Sequence, residues 1–216
     1  MRIALTSIFL VVFAILSAKS QVDSALVDVN FRFTDGLYKN VEQLRTNRPE
    51  SRFSVLAGNL LLQEEDYLLK VDKLYPKGRA DLPIALEEIG FMVINGIPYV
   101  RAYKDGERDF TVYSGLRVRG KLCYFAFAQN LPDTILIKAY NPLNGRPFRQ
   151  QNVVREKEQL VEKVLNLHNG EVVDYNLDNL LELFAEDPAL VKSLRNLSEA
   201  EARDRLQRCL LIYDDR

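Results

Sequence analysis

From Ile89 to Phe127 apolar runs alternate with turn-forming residues. Phe91, Met92, Val93 and Ile94 lead into Asn95-Gly96, and Ile97, Tyr99 and Val100 lead out. Gly adopts positive φ at no steric cost and Asn tolerates it better than most residues. Asn-Gly between two apolar runs therefore predicts a type I′ hairpin turn. Pro98 brings no N–H to a ladder, so it is expected at a strand edge or a bulge. A second turn is expected at Lys104-Asp105-Gly106-Glu107. Phe110–Tyr113 and Leu122–Phe127 are rich in aromatic and branched residues and read as further strands. Ser114-Gly115 and Gly120 break them. The whole stretch reads as a β-meander.

Upstream, Val27, Val29, Phe31 and Phe33 alternate with Asp28, Asn30 and Arg32, which predicts a strand within residues 21–35, turned by Asp35-Gly36. Asn40, with Gln43 in the capping-box place, predicts a short helix over Val41–Thr46, stopped at Asn47-Arg48-Pro49. Phe53–Leu62 and Tyr67–Leu74 are two more apolar runs expected as strands. Thr134–Tyr140 alternates as another. The loop Asn141–Pro147 is dense in turn formers, and everything beyond it reads as helix. Val153, Leu160, Val161, Val164 and Leu165 share one helical face, with Gly170 as an αL stop. Glu171–Tyr175 is a short extended piece. Leu177, Leu180, Leu181 and Phe184 form an amphipathic stripe after Asn176. Asp187-Pro188 opens a helix carrying Leu190, Val191 and Leu194. Ser198-Glu199-Ala200-Glu201 is a capping box before a last helix whose Ala202, Leu206, Cys209, Leu210 and Tyr213 face inward.

This pattern predicts an α+β protein, an N-terminal antiparallel β-meander sheet followed by a C-terminal helical subdomain. The expected divisions are a signal peptide at 1–20, a mainly β domain at 21–150, and a helical subdomain packed on it at 151–216. The signal peptide is expected from Arg2, the apolar run Ile3–Leu16, and the small residues Ala18 and Ser20 before Gln21. That run of about 14 residues is short against the roughly 20 a membrane span requires. No later stretch is expected to cross a membrane.

Charge changes the picture little. The chain carries 29 Lys+Arg against 30 Asp+Glu. Without Arg2 and Lys19 the balance is 27 against 30, a net charge of −3. No concentrated basic face calls for nucleic acid. Cys123 and Cys209 are the two cysteines. Paired in an oxidising compartment they would close a long loop, worth about 4–5 kcal/mol in the chain-entropy model; otherwise they are small buried hydrophobes.

Several segments resemble a group of secreted proteins of unknown function from Bacteroidetes-type bacteria. They are Asp35-Gly36-Leu37-Tyr38 with Asn47-Arg48-Pro49, the run from Asn141-Pro142 through Gly145 to Gln151, Val164–Glu171, and the tail Leu210–Asp215. The resemblance implies a Gram-negative envelope location and carries no activity with it.

Three groups are candidate sites. His168, the single histidine, is placed to act as a base beside Glu171 or Asp174, or simply to favour a helix C-terminus. Arg117, Arg119 and Lys121 would share one face of a strand and suit an anionic polymer, or form a solvated sheet face. Arg146, Phe148, Arg149, Gln150 and Gln151 lie where strands are expected to hand over to helices. They suit binding, or Phe148 plugs that seam while Arg149 pairs with acids. One His with two distant Cys makes no zinc set, and no nucleophile elbow, phosphate loop or zincin motif occurs. No catalytic residue, metal or cofactor is predicted. The expected role is an exported, non-catalytic envelope interaction protein, periplasmic or on the cell surface, whose partner is an envelope protein or polysaccharide. The alternative is a cell-envelope hydrolase using two carboxylates brought together in space.

Overall fold

The structure is a computed structural model describing residues 31–106, 108–117 and 120–214. It overturns the α+β expectation. Among the described residues strand accounts for 47% and helix for 21%, as a nearly closed antiparallel barrel-like sheet, a large second sheet and a few short helices. The expected signal peptide and residues 21–30 of the expected first strand lie outside the described residues. Residues 31–34 are not strand.

The first sheet contains β1 (Gly36–Tyr38), β2 (Ser51–Arg52), β3 (Leu56–Gln63), β4 (Leu68–Pro76), β5 (Phe91–Ile94), β6 (Ile97–Asp105) and β7 (Phe110–Gly115). Their spatial order is β2-β1-β5-β6-β7-β4-β3. The two edge strands are tied by a single 3₁₀ turn, Phe53–Val55. Sheet edges joined by so short a link must approach one another, and strand twist supplies the curvature. Leu37, Leu69, Met92, Tyr99 and Tyr113 form one core on one face, while Tyr38, Phe91, Val93 and Val100 pack on the other. Burial on both faces explains why Phe91–Ile94 is continuously apolar rather than alternating.

The Asn-Gly hairpin is present. Ile94 pairs with Ile97 across Asn95 (φ 55°) and Gly96 (φ 74°). Pro98 corrects the expectation of an edge or a bulge, because β6 is an interior strand. Proline is tolerated there because it lies one residue inside the strand, facing Val93 in the second pair from the turn, a non-hydrogen-bonded pair in which the nitrogen of Pro98 points away from β5. On its other side the register with β7 begins only at Tyr99, opposite Gly115. The helix after Asn40 is α1 (Val41–Arg45), and the Asn40 side chain accepts from Gln43 N at 3.0 Å.

The second sheet contains β8 (Leu122–Tyr140), β9 (Pro147–Asn166) and β10 (Val172–Asp174), in the order β10-β9-β8. The helix expected over Val153–Leu165 is therefore wrong. Those residues are strand, paired with β8 in continuous register from Cys123↔Leu165 to Ile135↔Val153. Their spacing fits a helical face, but four of the apolar positions from 153 to 164 are valine, and β8 lacks a partner without them. Gly170 does adopt φ 79°, but it serves the β9–β10 turn, where Asn166 N donates to Glu171 O at 2.8 Å. After β10 the chain turns helical, with α2 (Leu177–Leu183), α3 (Pro188–Arg195) and α4 (Glu199–Asp214).

Strand parity sets the layering. Cys123, Phe125, Phe127 and Leu165 face the barrel, while Leu122, Tyr124 and Val164 face α2–α4. The base of the hairpin is thus the middle layer of three. The same parity decides between the two readings of the cysteines, in favour of small buried hydrophobes. Cys123 belongs to the barrel-side core and Cys209 to the helix-side core, and no bridge joins them.

Several buried phenols make alkaline pH a sharp probe of this packing. The Tyr38 hydroxyl donates to Thr34 O at 2.6 Å and to Asn47 Oδ1 at 3.0 Å. Burial, and then the charge of Asp35, pushes it up to about 12. Burial also raises Tyr99, Tyr103, Tyr113 and Tyr124, the last with help from Glu162. A phenol whose folded pKa exceeds its unfolded value of about 10 stabilises the fold fully below that pH. The stabilisation is lost as pH rises through the folded value. Stability is therefore expected to fall between pH about 10 and about 12. Five of the ten tyrosines should resist ionisation until the fold opens, as followed by ultraviolet absorbance. Uniform titration of all ten at the free phenol pKa would contradict this packing.

Candidate interaction surface

Only the base of the β8–β9 hairpin is buried. Burial ends near Ala128 on β8 and Val161 on β9, and the strands continue as a two-stranded arm to the Tyr140–Pro147 end. From Asn130 to Tyr140 ten residue steps carry it about 34 Å beyond the body. Its tip is fastened by side chains. Asn141 Oδ1 accepts from Leu143 N at 2.9 Å and Asn144 Oδ1 accepts from Arg146 N at 3.0 Å. Gly145 takes φ 66° and donates to Asn141 O at 2.8 Å. This turn presents Leu143 at 93% exposure.

Register assigns each side chain to a face. Ile135, Val153 and Ile137 lie on one face, and Thr134, Val154, Leu136 and Tyr140 on the other. Leu136, Ile137, Tyr140 and Val154 are each about half exposed or more. An isolated two-stranded ribbon is marginal in water, and apolar exposure on both faces is unusual for a protein surface. Tyr124 O, Ala126 O and Ala128 O of β8 point away from β9 and accept from Arg117 N, Ser114 Oγ and Tyr103 Oη. By the same parity Pro132 and Lys138 stand on the outer edge of the arm. A proline without an N–H and a lysine there blunt strand-on-strand aggregation.

Charge is sorted along the arm. From Thr134 to Arg155 the sequence holds Lys138, Arg146, Arg149 and Arg155 and no Asp or Glu. Arg155 is met by Asp133 across the strands, at 3.1 Å. Lys138, Arg146 and Arg149 are exposed.

The expected candidates fare differently. Arg146, Arg149, Gln150 and Gln151 are brought together at the distal arm rather than at a seam between strands and helices. Phe148 lies on β9, but its side chain is outside the described residues. Arg119 also lies outside them. Arg117 and Lys121 are not on a strand. The Arg117 guanidinium lies 5.6 Å from the Tyr67 ring and the Lys121 ammonium 5.5 Å from the Tyr213 ring. His168 is exposed in the β9–β10 turn, where its carbonyl accepts from Arg45 Nη1 at 3.0 Å. Glu171 is engaged by Asn169, and Asp174 by Lys163 at 2.6 Å. No histidine–carboxylate pair forms among these residues.

No protein-family model matches the chain, and neither a curated protein nor a solved structure is similar to it.

One groove of about 340 Å³ brings carboxylates together, Asp72, Glu87 and Asp109, with Lys73, Arg101 and Lys104 beside them. Lys104 reaches Asp109 at 2.9 Å and holds its carboxyl below the usual range. Glu50 and Glu201 are lowered too, by hydrogen bonds from Gln43 and Ser198 first. A carboxylic general acid needs the opposite displacement. Among the described residues no Asp or Glu is buried, and no cluster of His, Cys, Asp and Glu suits a metal. No helix among them is long and apolar enough to cross a membrane. The arm was missed in the sequence because its two strands were assigned to different structural classes. The signal that marks its tip, a run of 22 residues without an acid, was there to be read.

Proposed function

We propose that this is an exported, non-catalytic interaction protein of the cell envelope that works by presenting its β-arm to a partner. The observation that carries this is the arm itself, which exposes apolar side chains on both faces well beyond the body. A hairpin of this length needs no such surface to fold its base, because the base is already sandwiched between two cores. The signal-peptide pattern at 1–20 supports export, and the resemblance to secreted proteins of Bacteroidetes-type bacteria supports an envelope location. The barrel and helices act as the mount.

The test is a shortened arm. Residues 134–154 are replaced by Asn-Gly, so that the existing cross-strand pair Asp133 and Arg155 closes a two-residue hairpin in the native register. The variant is expected to keep the melting temperature of the full chain within a few degrees. Full-length protein should sediment with the envelope of lysed host cells, and the shortened variant should remain in the soluble fraction. Equal partition of the two proteins would remove the arm from the function.

A further inference from the structure

Two features of the distal arm bear on what it touches. Its acid-free segment combines three exposed cations, Lys138, Arg146 and Arg149, with exposed Leu136, Ile137, Tyr140 and Leu143. The cations and apolar chains are interleaved on both faces and at the turn. A groove on a folded protein covers one face of a ribbon and leaves the other wet. A lipid interface surrounds a tip and meets both faces together. We infer that the partner of the arm is the surface of an anionic phospholipid bilayer. Leu143 and Tyr140 enter at headgroup depth, and Lys138, Arg146 and Arg149 meet lipid phosphates. This rests on the arm being the interacting element.

The chemistry also limits the depth. Asp133 and Arg155 occupy one face, and Lys138 with Gln150 and Leu136 with Asn152 share the other. Neither face offers the unbroken apolar band that a membrane-crossing strand presents to lipid. The open edges of the ribbon would also leave backbone groups unsatisfied in hydrocarbon. Contact is therefore peripheral, confined to the turn and the last few residue pairs. A polysaccharide would account for the cations but leave Leu143 and Tyr140 without a role. Tip-to-tip pairing of two copies would bring like charges together with no acid to offset them.

The experiment is flotation of the exported chain, residues 21–216, with vesicles of phosphatidylcholine alone and with phosphatidylglycerol added, at low and high salt. Binding is expected only with phosphatidylglycerol and should weaken as salt screens the cations. Each basic residue near an anionic surface is worth about fivefold in affinity, so Lys138→Gln, Arg146→Gln and Arg149→Gln together should cost about a hundredfold. Leu143→Ser should weaken binding while leaving the salt dependence intact. All four positions are exposed, so an unchanged melting temperature confirms that the variants fold. Equal binding to neutral vesicles, no binding to either, or full binding by the triple variant would overturn the lipid proposal. If vesicles fail while envelope sedimentation still depends on the arm, the partner is a protein or polysaccharide and the interaction reading stands. If both fail, both readings fall.

Discussion

Phe125→Ala is expected to destabilise the protein by about 3–5 kcal/mol. Phe125 is 2% exposed, in the middle of the layer between the barrel and the second sheet. Its ring stacks against Phe127 at 6.3 Å, and its neighbours include Tyr38, Phe91, Val93 and Leu165 in the same core. Removing the ring loses its transfer free energy and leaves a cavity, because a strand held by the β9 ladder on one edge and by Arg117 N, Ser114 Oγ and Tyr103 Oη on the other collapses poorly into a void. Total stabilities of domains this size run to about 5–15 kcal/mol, so the loss is a large share. Urea unfolding followed by circular dichroism measures it. Leu143→Ser at the arm tip serves as the contrast and should shift stability by less than about 0.5 kcal/mol. A loss under 1 kcal/mol for Phe125→Ala would mean that the second sheet does not pack on the barrel as described.

Phe184→Ala should cost a similar amount, about 3–5 kcal/mol, on the other side of the same sheet. Phe184 has no exposed surface and lies 5.1 Å from the Tyr213 ring. Leu180, Leu190, Leu194, Leu206 and Leu210 complete its surroundings, with Leu122 and Val164 of the sheet beneath. The informative part is cooperativity. Leu122 and Val164 on the helix side are chain neighbours of Cys123 and Leu165 on the barrel side. Strands shared between two cores transmit the loss of one to the other. Helical circular dichroism and tyrosine fluorescence are therefore expected to fall in one transition in the variant, as two-state unfolding requires. Two separated transitions would show that the helices melt alone and that the shared sheet does not couple them.

Local rules were legible wherever one short segment decides its own conformation. Asn95-Gly96 needs positive φ at adjacent residues, and the pair adopts it. Asn40, Asn176 and Asp187 cap the helices expected of them, because a capping side chain bonds only to the next few N–H groups. The later helices were readable from their apolar stripes for the same reason. Gly170 shows the limit. Its left-handed conformation was legible, but the element it ends was not. A glycine at positive φ closes a helix and a β-turn equally well.

The candidate surface was half legible. Arg146, Arg149, Gln150 and Gln151 were singled out as a binding group, and they do lie together. What they join was hidden. Placing Lys138 opposite Gln150, and Ile135 opposite Val153, takes a pairing register that no local pattern encodes. The residues of β9 carry apolar spacings compatible with a helix. The pairing of about twenty positions with β8 decided otherwise, since tertiary context overrides a weak propensity.

The sequence by itself determined the turns, the helix caps, the apolar runs and the sorting of charge along the chain, all properties of neighbouring residues. Only the tertiary structure decided that β8 and β9 form one arm, that Pro98 lies in an interior strand, and that Cys123 and Cys209 face different cores. Each of these follows from strand pairing between distant segments. A strand has two faces and two edges, and which partner meets each one is fixed by burial and hydrogen bonding across the whole chain.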